Sequence, residues 1–132
     1  MNKAVVFELV PFGWPPSVND YYGKRVIGKG SKAFVSVYLT AKAKKFNEQV
    51  ALTVLAMELD KHLTHRLSMR AVFHAPTKRK YDISNYIKLL EDSLEAAGVY
   101  LNDNQIDHWE LVRGDVRPGN GLVEVSCYII PE

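Results

Sequence analysis

The apolar positions divide the chain into segments of two periods. Residues 3 to 10 are apolar at Val5, Phe7 and Leu9 with further apolar residues between them, which predicts a strand, and Pro11, Gly13, Pro15 and Pro16 then predict its end. Ala33 to Tyr38 is again β-prone. Thr40 has the side chain of an N-cap, and Phe46, Val50, Val54 and Met57 follow at steps of four and three, so a helix with one buried face is expected from there to about Leu59. Leu67 to His74 alternates loosely and meets a turn at Pro76, as a strand would that delivers the chain to Lys78, Arg79 and Lys80.

The clearest element comes next. Ile83, Ile87, Leu90, Leu94 and Ala97 recur at helical spacing, and Gly98 supplies a residue that tolerates a left-handed C-terminal cap. At about 100° per residue, Asn85, Lys88 and Asp92 fall together on the side away from that stripe. Asp82 stands at the helix entrance. Asn102 and Asp103 follow its exit and return beside it only if the next strand packs next to the preceding one. Residues 105–113 and 121–130 read as the last two strands, joined through a Pro118-Gly119 turn. The expected fold is α+β, a single domain over residues 1–132 in which a mixed sheet packs with two main helices, in the order β-β-α-β-α-β-β.

Length agrees with that reading, since 132 residues suit one domain able to bury roughly two-thirds of its unfolded surface. No internal repeat, low-complexity tract or long linker divides it. No apolar run approaches the ~20 residues that span a bilayer. The stretch Met1 to Glu8 lacks the apolar core and cleavage site of a secretory signal, and a single Cys127 makes no internal disulfide. A soluble protein of the reducing cytoplasm is the expectation, with no membrane partner.

A net charge of +2 is too small to name a partner, so the distribution of charge matters more. Basic clusters lie at Lys42/Lys44/Lys45 and at Lys78/Arg79/Lys80. Lys24, Arg25, Lys29 and Lys32, interspersed with three glycines, read either as a mobile basic loop that follows a phosphate backbone or as a solvated hairpin. The chain thus sets separated carboxylates and a lysine beside a basic run. A carboxylate pair can hold Mg²⁺, which prefers oxygen ligands, and the basic residues would meet phosphates. A metal-dependent enzyme acting on nucleic acid is one reading; helix caps and a solvated loop are the other.

The remaining chemistry is sparser. Trp14, Tyr21 and Tyr22 could stack on bases, or Trp14 and Pro15-Pro16 could pack structurally while Asn19 bonds a turn. His62 and His65 lack a further ligand motif and read as surface residues. His74 and His108 read as strand residues, and Cys127 as a buried small hydrophobe. There is no glycine-rich nucleotide loop and no nucleophilic triad.

Two blocks resemble the RusA-type Holliday junction resolvases of bacteria, phages and prophages. Trp14-Pro15-Pro16-Ser17-Val18-Asn19-Asp20-Tyr21-Tyr22 is similar to that family's W-P-P-S-x-N-x-Y-Y stretch. Asp82-Ile83-Ser84-Asn85, then Lys88, Asp92, Leu94, Ala97-Gly98 and Leu101 to Ile106, is similar to its D-x-D-N, helical K and D, and (D/N)-D-x-Q-(I/V) series. The resemblance implies that Asp82 and Asp103 are metal-binding catalytic carboxylates, that Lys88 assists catalysis or holds a phosphate, and that Asn85, Asp92 and Gln105 support them. Mg²⁺ is the implied cofactor, with Mn²⁺ as a substitute. Lys24, Arg25, Lys29, Lys78, Arg79 and Lys80 become candidate DNA contacts.

The function implied is nicking of four-way DNA junctions in two opposed strands, in recombination and repair. A homodimer suits it, because an isologous pair places two active sites about the axis of a nearly two-fold junction. Tyr86 and Leu89 are candidates for the dimer surface or for the core. Ser84 departs from the pattern, standing where the family usually has its second aspartate. Its hydroxyl can ligate Mg²⁺ but brings no charge, unless Asp92, Asn102 or a backbone carbonyl compensates; Asn102 itself stands where an additional acid is often found. The alternative is therefore a catalytically weak or inactive branched-DNA-binding protein on the same fold.

Overall fold

A computed structural model describes residues 3–131, so Met1, Asn2 and Glu132 lie outside it. The elements are β1 (Ala4–Gly13), β2 (Tyr22–Ile27), β3 (Phe34–Leu39), α1 (Ala41–Ala56), β4 (Leu67–His74), α2 (Ser84–Ala96), β5 (Ile106–Arg113) and β6 (Leu122–Ile129). Four strands form a mixed sheet in the order β1-β6-β4-β5, and β2 and β3 form a separate hairpin. β5 runs parallel to β4, whereas β6 is antiparallel to both of its neighbours. The α+β fold and its order of elements are as expected, with β2 added ahead of α1. Of the two readings of the basic segment after Gly23, the hairpin is the one found, with Lys24 paired to Val37 and Val26 to Val35.

The core lies between the sheet and the two helices. Met69, Ala71 and Phe73 from β4 and Val123, Val125 and Cys127 from β6 are almost wholly buried beside Phe46, Val50 and Val54 of α1 and Leu89, Leu90 and Leu94 of α2. Thr40 caps α1 as expected, its Oγ1 accepting from Ala43 N while its hydroxyl donates to Asp20 O. Gly98 ends α2 at φ +89°, and a Cβ there would stand 2.7 Å from the His62 ring, so both the backbone conformation and the close approach call for glycine.

Three local expectations are corrected. α1 stops at Ala56, and Met57, placed on its buried face by spacing, is exposed. β1 continues through Pro11 to Gly13; it is an edge strand, where a missing N–H costs no ladder bond. Irregularities between Val5 and Phe7 and between Phe7 and Val10 break the alternation, turning Leu9 outward at φ +51° and burying Val10 and Phe12 instead. Of the two readings of Leu89 and Tyr86, the core is the one found: Leu89 belongs to it and Tyr86 packs half-buried against it.

Candidate active site

Parallel strands cannot be joined by a tight turn, and α2 is the crossover between β4 and β5. It returns the chain to the start of β4, where Leu101 N donates to Leu63 O and Leu63 bridges Tyr100. The short turn Asp103–Gln105 therefore lies beside the second half of α2. Gln105 builds that turn from within. Its buried amide accepts from Leu101 N and Asn102 N and donates to Leu63 O and His65 O, while Asn102 Oδ1 accepts from Asn104 N in a reciprocal capping box. Asp103 N donates to Glu95 Oε1 at 2.6 Å.

Held this way, Asp103 faces a group of acids. Ligand oxygens of Glu91, Asp92 and Asp103 lie within 4.8 Å of one another, and all three residues are half-buried. Lys88 Nζ is 3.1 Å from Asp92 Oδ1 and 3.7 Å from Asp103 Oδ2. Hydrogen bonding to Asp92 raises the Lys88 pKa against the opposing effect of burial, so the ammonium is firmly charged. Glu91 is held well above the usual carboxylate range, first by burial and then by its hydrogen bond with Asp103, despite the Trp109 Nε1–H donated to its Oε2 at 2.8 Å. The Tyr21 hydroxyl donates to Asp92 Oδ2 at 2.5 Å; burial and this bond to a carboxylate push its own pKa up.

The fold thus brings Lys88, Asp92 and Asp103 together. Asn102 and Gln105 shape the turn. Asp82 and Ser84 are exposed and Asn85 is half-buried at the opposite end of α2, where Asn85 N donates to Asp82 O. A helical rise of ~1.5 Å per residue sets Ser84 about 6 Å from Lys88 along the axis, and Asp82 precedes the helix. Asp82 and Ser84 are not in the acidic triplet.

Sequence reasoning missed Glu91, Glu95, Tyr21 as a partner of Asp92, and Trp109. Only Tyr21 carried a signal, as a member of the proline-rich block.

The donor set fits a hard divalent cation. Its ligands are oxygens, and its crowded carboxylates are balanced by one lysine and a raised Glu91, the arrangement expected where like charges await a cation. Among the described residues no histidine or cysteine joins it. His74 is a strand residue bonded to Glu124 Oε1 and Asp115 O, and burial pushes the Cys127 thiol up to about 12.

The expected DNA contacts lie on two elements. Lys24 and Arg25 are exposed on β2, with Arg25 over the Tyr38 ring, and Lys29 precedes the hairpin's turn. Lys78, Arg79 and Lys80 are exposed on the loop that enters α2. Trp14 packs edge-on against Phe73 and Tyr81 and tilted against Tyr86. No described helix is long and apolar enough to cross a membrane.

Residues 13–126 match the family described as Endodeoxyribonuclease RusA. The chain is 32% identical to the crossover junction endodeoxyribonuclease rusA of Enterobacteria phage HK97, over 109 residues covering 83% of this chain and 84% of that protein. It is 29% identical, with the same coverage, to the enzymes of that name from Enterobacteria phage 82 and from Escherichia coli (strain K12). The matched span runs from Gly13 through the acidic triplet to Ser126 in β6, and on that ground the chain belongs to the RusA endodeoxyribonuclease family.

Proposed function

We propose that this chain is a Mg²⁺-dependent crossover junction endodeoxyribonuclease, with Mn²⁺ as a substitute, which acts as a homodimer and places paired nicks in four-way DNA junctions. The observation that supports this most is Lys88 Nζ set against Asp92 and Asp103 in an acidic group. Asp103, with Glu91 and Asp92 beside it, would hold the ion. Asp82 and Ser84, at the opposite end of α2, stand outside this ligand set. When bound, the ion supplies charge neutralisation at the scissile phosphate and acidifies a water. Lys88 offers its ammonium to charge developing on the phosphate oxygens. Tyr21 and Trp109 fix the Asp92 and Glu91 carboxylates by donating to them. Lys78, Arg79, Lys80, Lys24, Arg25 and Lys29 hold the DNA backbone.

Ser84 favours a second reading, a branched-DNA-binding protein of weak activity, because its exposed hydroxyl supplies no charge at the helix entrance. Glu91 weighs against it by bringing a further carboxylate to the site. The deciding measurement is cleavage of a mobile synthetic four-way junction against a matched linear duplex, in Mg²⁺ or EDTA. Symmetric nicks in the junction alone, abolished by EDTA, are expected. Tight junction binding with no nicks in Mg²⁺ would establish the second reading.

The hairpin supports the dimer. A lone two-stranded ribbon is marginal in water, yet Val26, Phe34 and Val35 are 69%, 59% and 60% exposed. Tyr22, Val26, Val35 and Val37 share one face by register. Ile27, Phe34 and Tyr38 are exposed on the other face. A Val26→Lys/Val35→Lys chain should sediment as a monomer at concentrations where the parent is a dimer, with an unchanged circular dichroism spectrum. A dimer that persists would move the interface elsewhere.

A further inference from the structure

We infer that the groove around Trp14 holds one unstacked nucleobase of the junction and makes cleavage depend on which base it is. This inference rests on the nuclease reading above. Two cavities of about 400 Å³ and 410 Å³ share Trp14 and Tyr86 as walls. Each falls in the range of small-ligand pockets, and aromatic walls accept any base by its π-face. Neither includes the acidic triplet; both lie at the entrance of α2, with Tyr81 immediately before Asp82.

Charge favours a nucleotide over a neutral ligand. Lys42 and Lys45 line the first cavity, Arg79 and Lys80 the second. None of the four forms an ion pair with a described acid, and Asp20 is the one acid in either wall. A strand that inserts a base between these pairs would set its phosphates against cations on both sides. Stacking with flanking phosphate contacts is the chemistry by which unpaired nucleic acid is held.

Selectivity would come from Tyr81. Its Oη is out of contact with solvent and is the one buried side-chain polar atom without a hydrogen-bond partner among the described residues. Such orphans are rare and call for a reason. The ring is held in place by the Arg113 guanidinium 4.2 Å from its centre, while Arg113 also donates to Tyr81 O at 3.0 Å. A base that enters beside Tyr81 and displaces its neighbours can bond this hydroxyl through its edge, and bases differ in what their edges offer.

The experiment uses the full chain bound to a static four-way junction in Ca²⁺, with 5-iododeoxyuridine placed in turn at each position near the branch point and cross-links mapped by mass spectrometry. A cross-link from one position to Trp14, Tyr81 or Tyr86 is expected. Bound junction whose cross-links all lie outside the groove would overturn the inference while leaving the nuclease reading intact; failure to bind the junction would overturn both. Because Trp14→Ala would also damage the core, the companion variant is Tyr81→Phe, which removes only the hydroxyl. Across four junctions differing in that one base, its ratio of best to worst nicking rate should fall about tenfold relative to the parent; an unchanged ratio would overturn the role of Tyr81.

Discussion

An Asp103→Asn chain is expected to bind four-way junctions about as tightly as the parent and to lose more than ~100-fold of its Mg²⁺-dependent nicking rate. Loss of groups that merely support a metal ligand already costs ~10–100-fold, so loss of the ligand's charge should cost more. The substitution is clean because the turn does not depend on that side chain. Its backbone N–H is held by Glu95, and its geometry comes from the amide of Gln105 and the Asn102 cap. The amide has nearly the shape of the carboxylate and removes the charge. Single-turnover cleavage, compared with junction binding in Ca²⁺, separates the two effects; nicking within a few-fold of the parent would remove Asp103 from the chemistry.

Lys88→Met should lower the single-turnover rate by ~10²–10³-fold, the loss typical when one donor to a developing oxyanion is removed. A second effect should run in the other direction. Lys88 now lies between Asp92 and Asp103, so it competes with a divalent cation for the same oxygens. Without it, the Mg²⁺ concentration giving half the maximal rate should fall although the maximum is lower. Its side chain is more than half exposed, so the ion pairs themselves contribute at most ~1 kcal/mol to folding. A Mg²⁺ titration of both proteins tests this. A rate unchanged at saturating Mg²⁺ would make Lys88 a surface lysine, and a higher Mg²⁺ requirement would mean that it helps to assemble the site.

Much of this architecture was legible because α1, α2 and β4 bury whole faces, and burial imposes a period on sequence. The hairpin was left open because its apolar residues lie beside lysines and glycines on surfaces that no core fills, so no period separates a ribbon from a loop. Pro11 marked a strand end by its chemistry but fell on a sheet edge, a position that only the tertiary order of strands reveals. The site divides in the same way. Lys88 and Asp92 share a helix face, which spacing reveals, and Asp103 depended on β5 pairing beside β4, as it does. Glu91 is set apart from Glu95 only by Trp109 on a strand eighteen residues later. Tyr21 reaches Asp92 across 71 residues, a distance in sequence that no local pattern encodes.

The strand order has a bearing on how the chain comes to be made. β6 is the last strand in sequence yet lies between β1 and β4, with Ala4 paired to Ile129. During synthesis at ~5–20 residues per second, β1 would wait roughly 6–25 s for its partner. The β4-α2-β5 unit that carries the carboxylates would meanwhile emerge without the strand that covers its inner flank. A nascent chain is thus held short of a complete sheet until β6 has been translated, and a product terminated before Leu122 should be a substrate for proteolysis rather than a partly active nuclease.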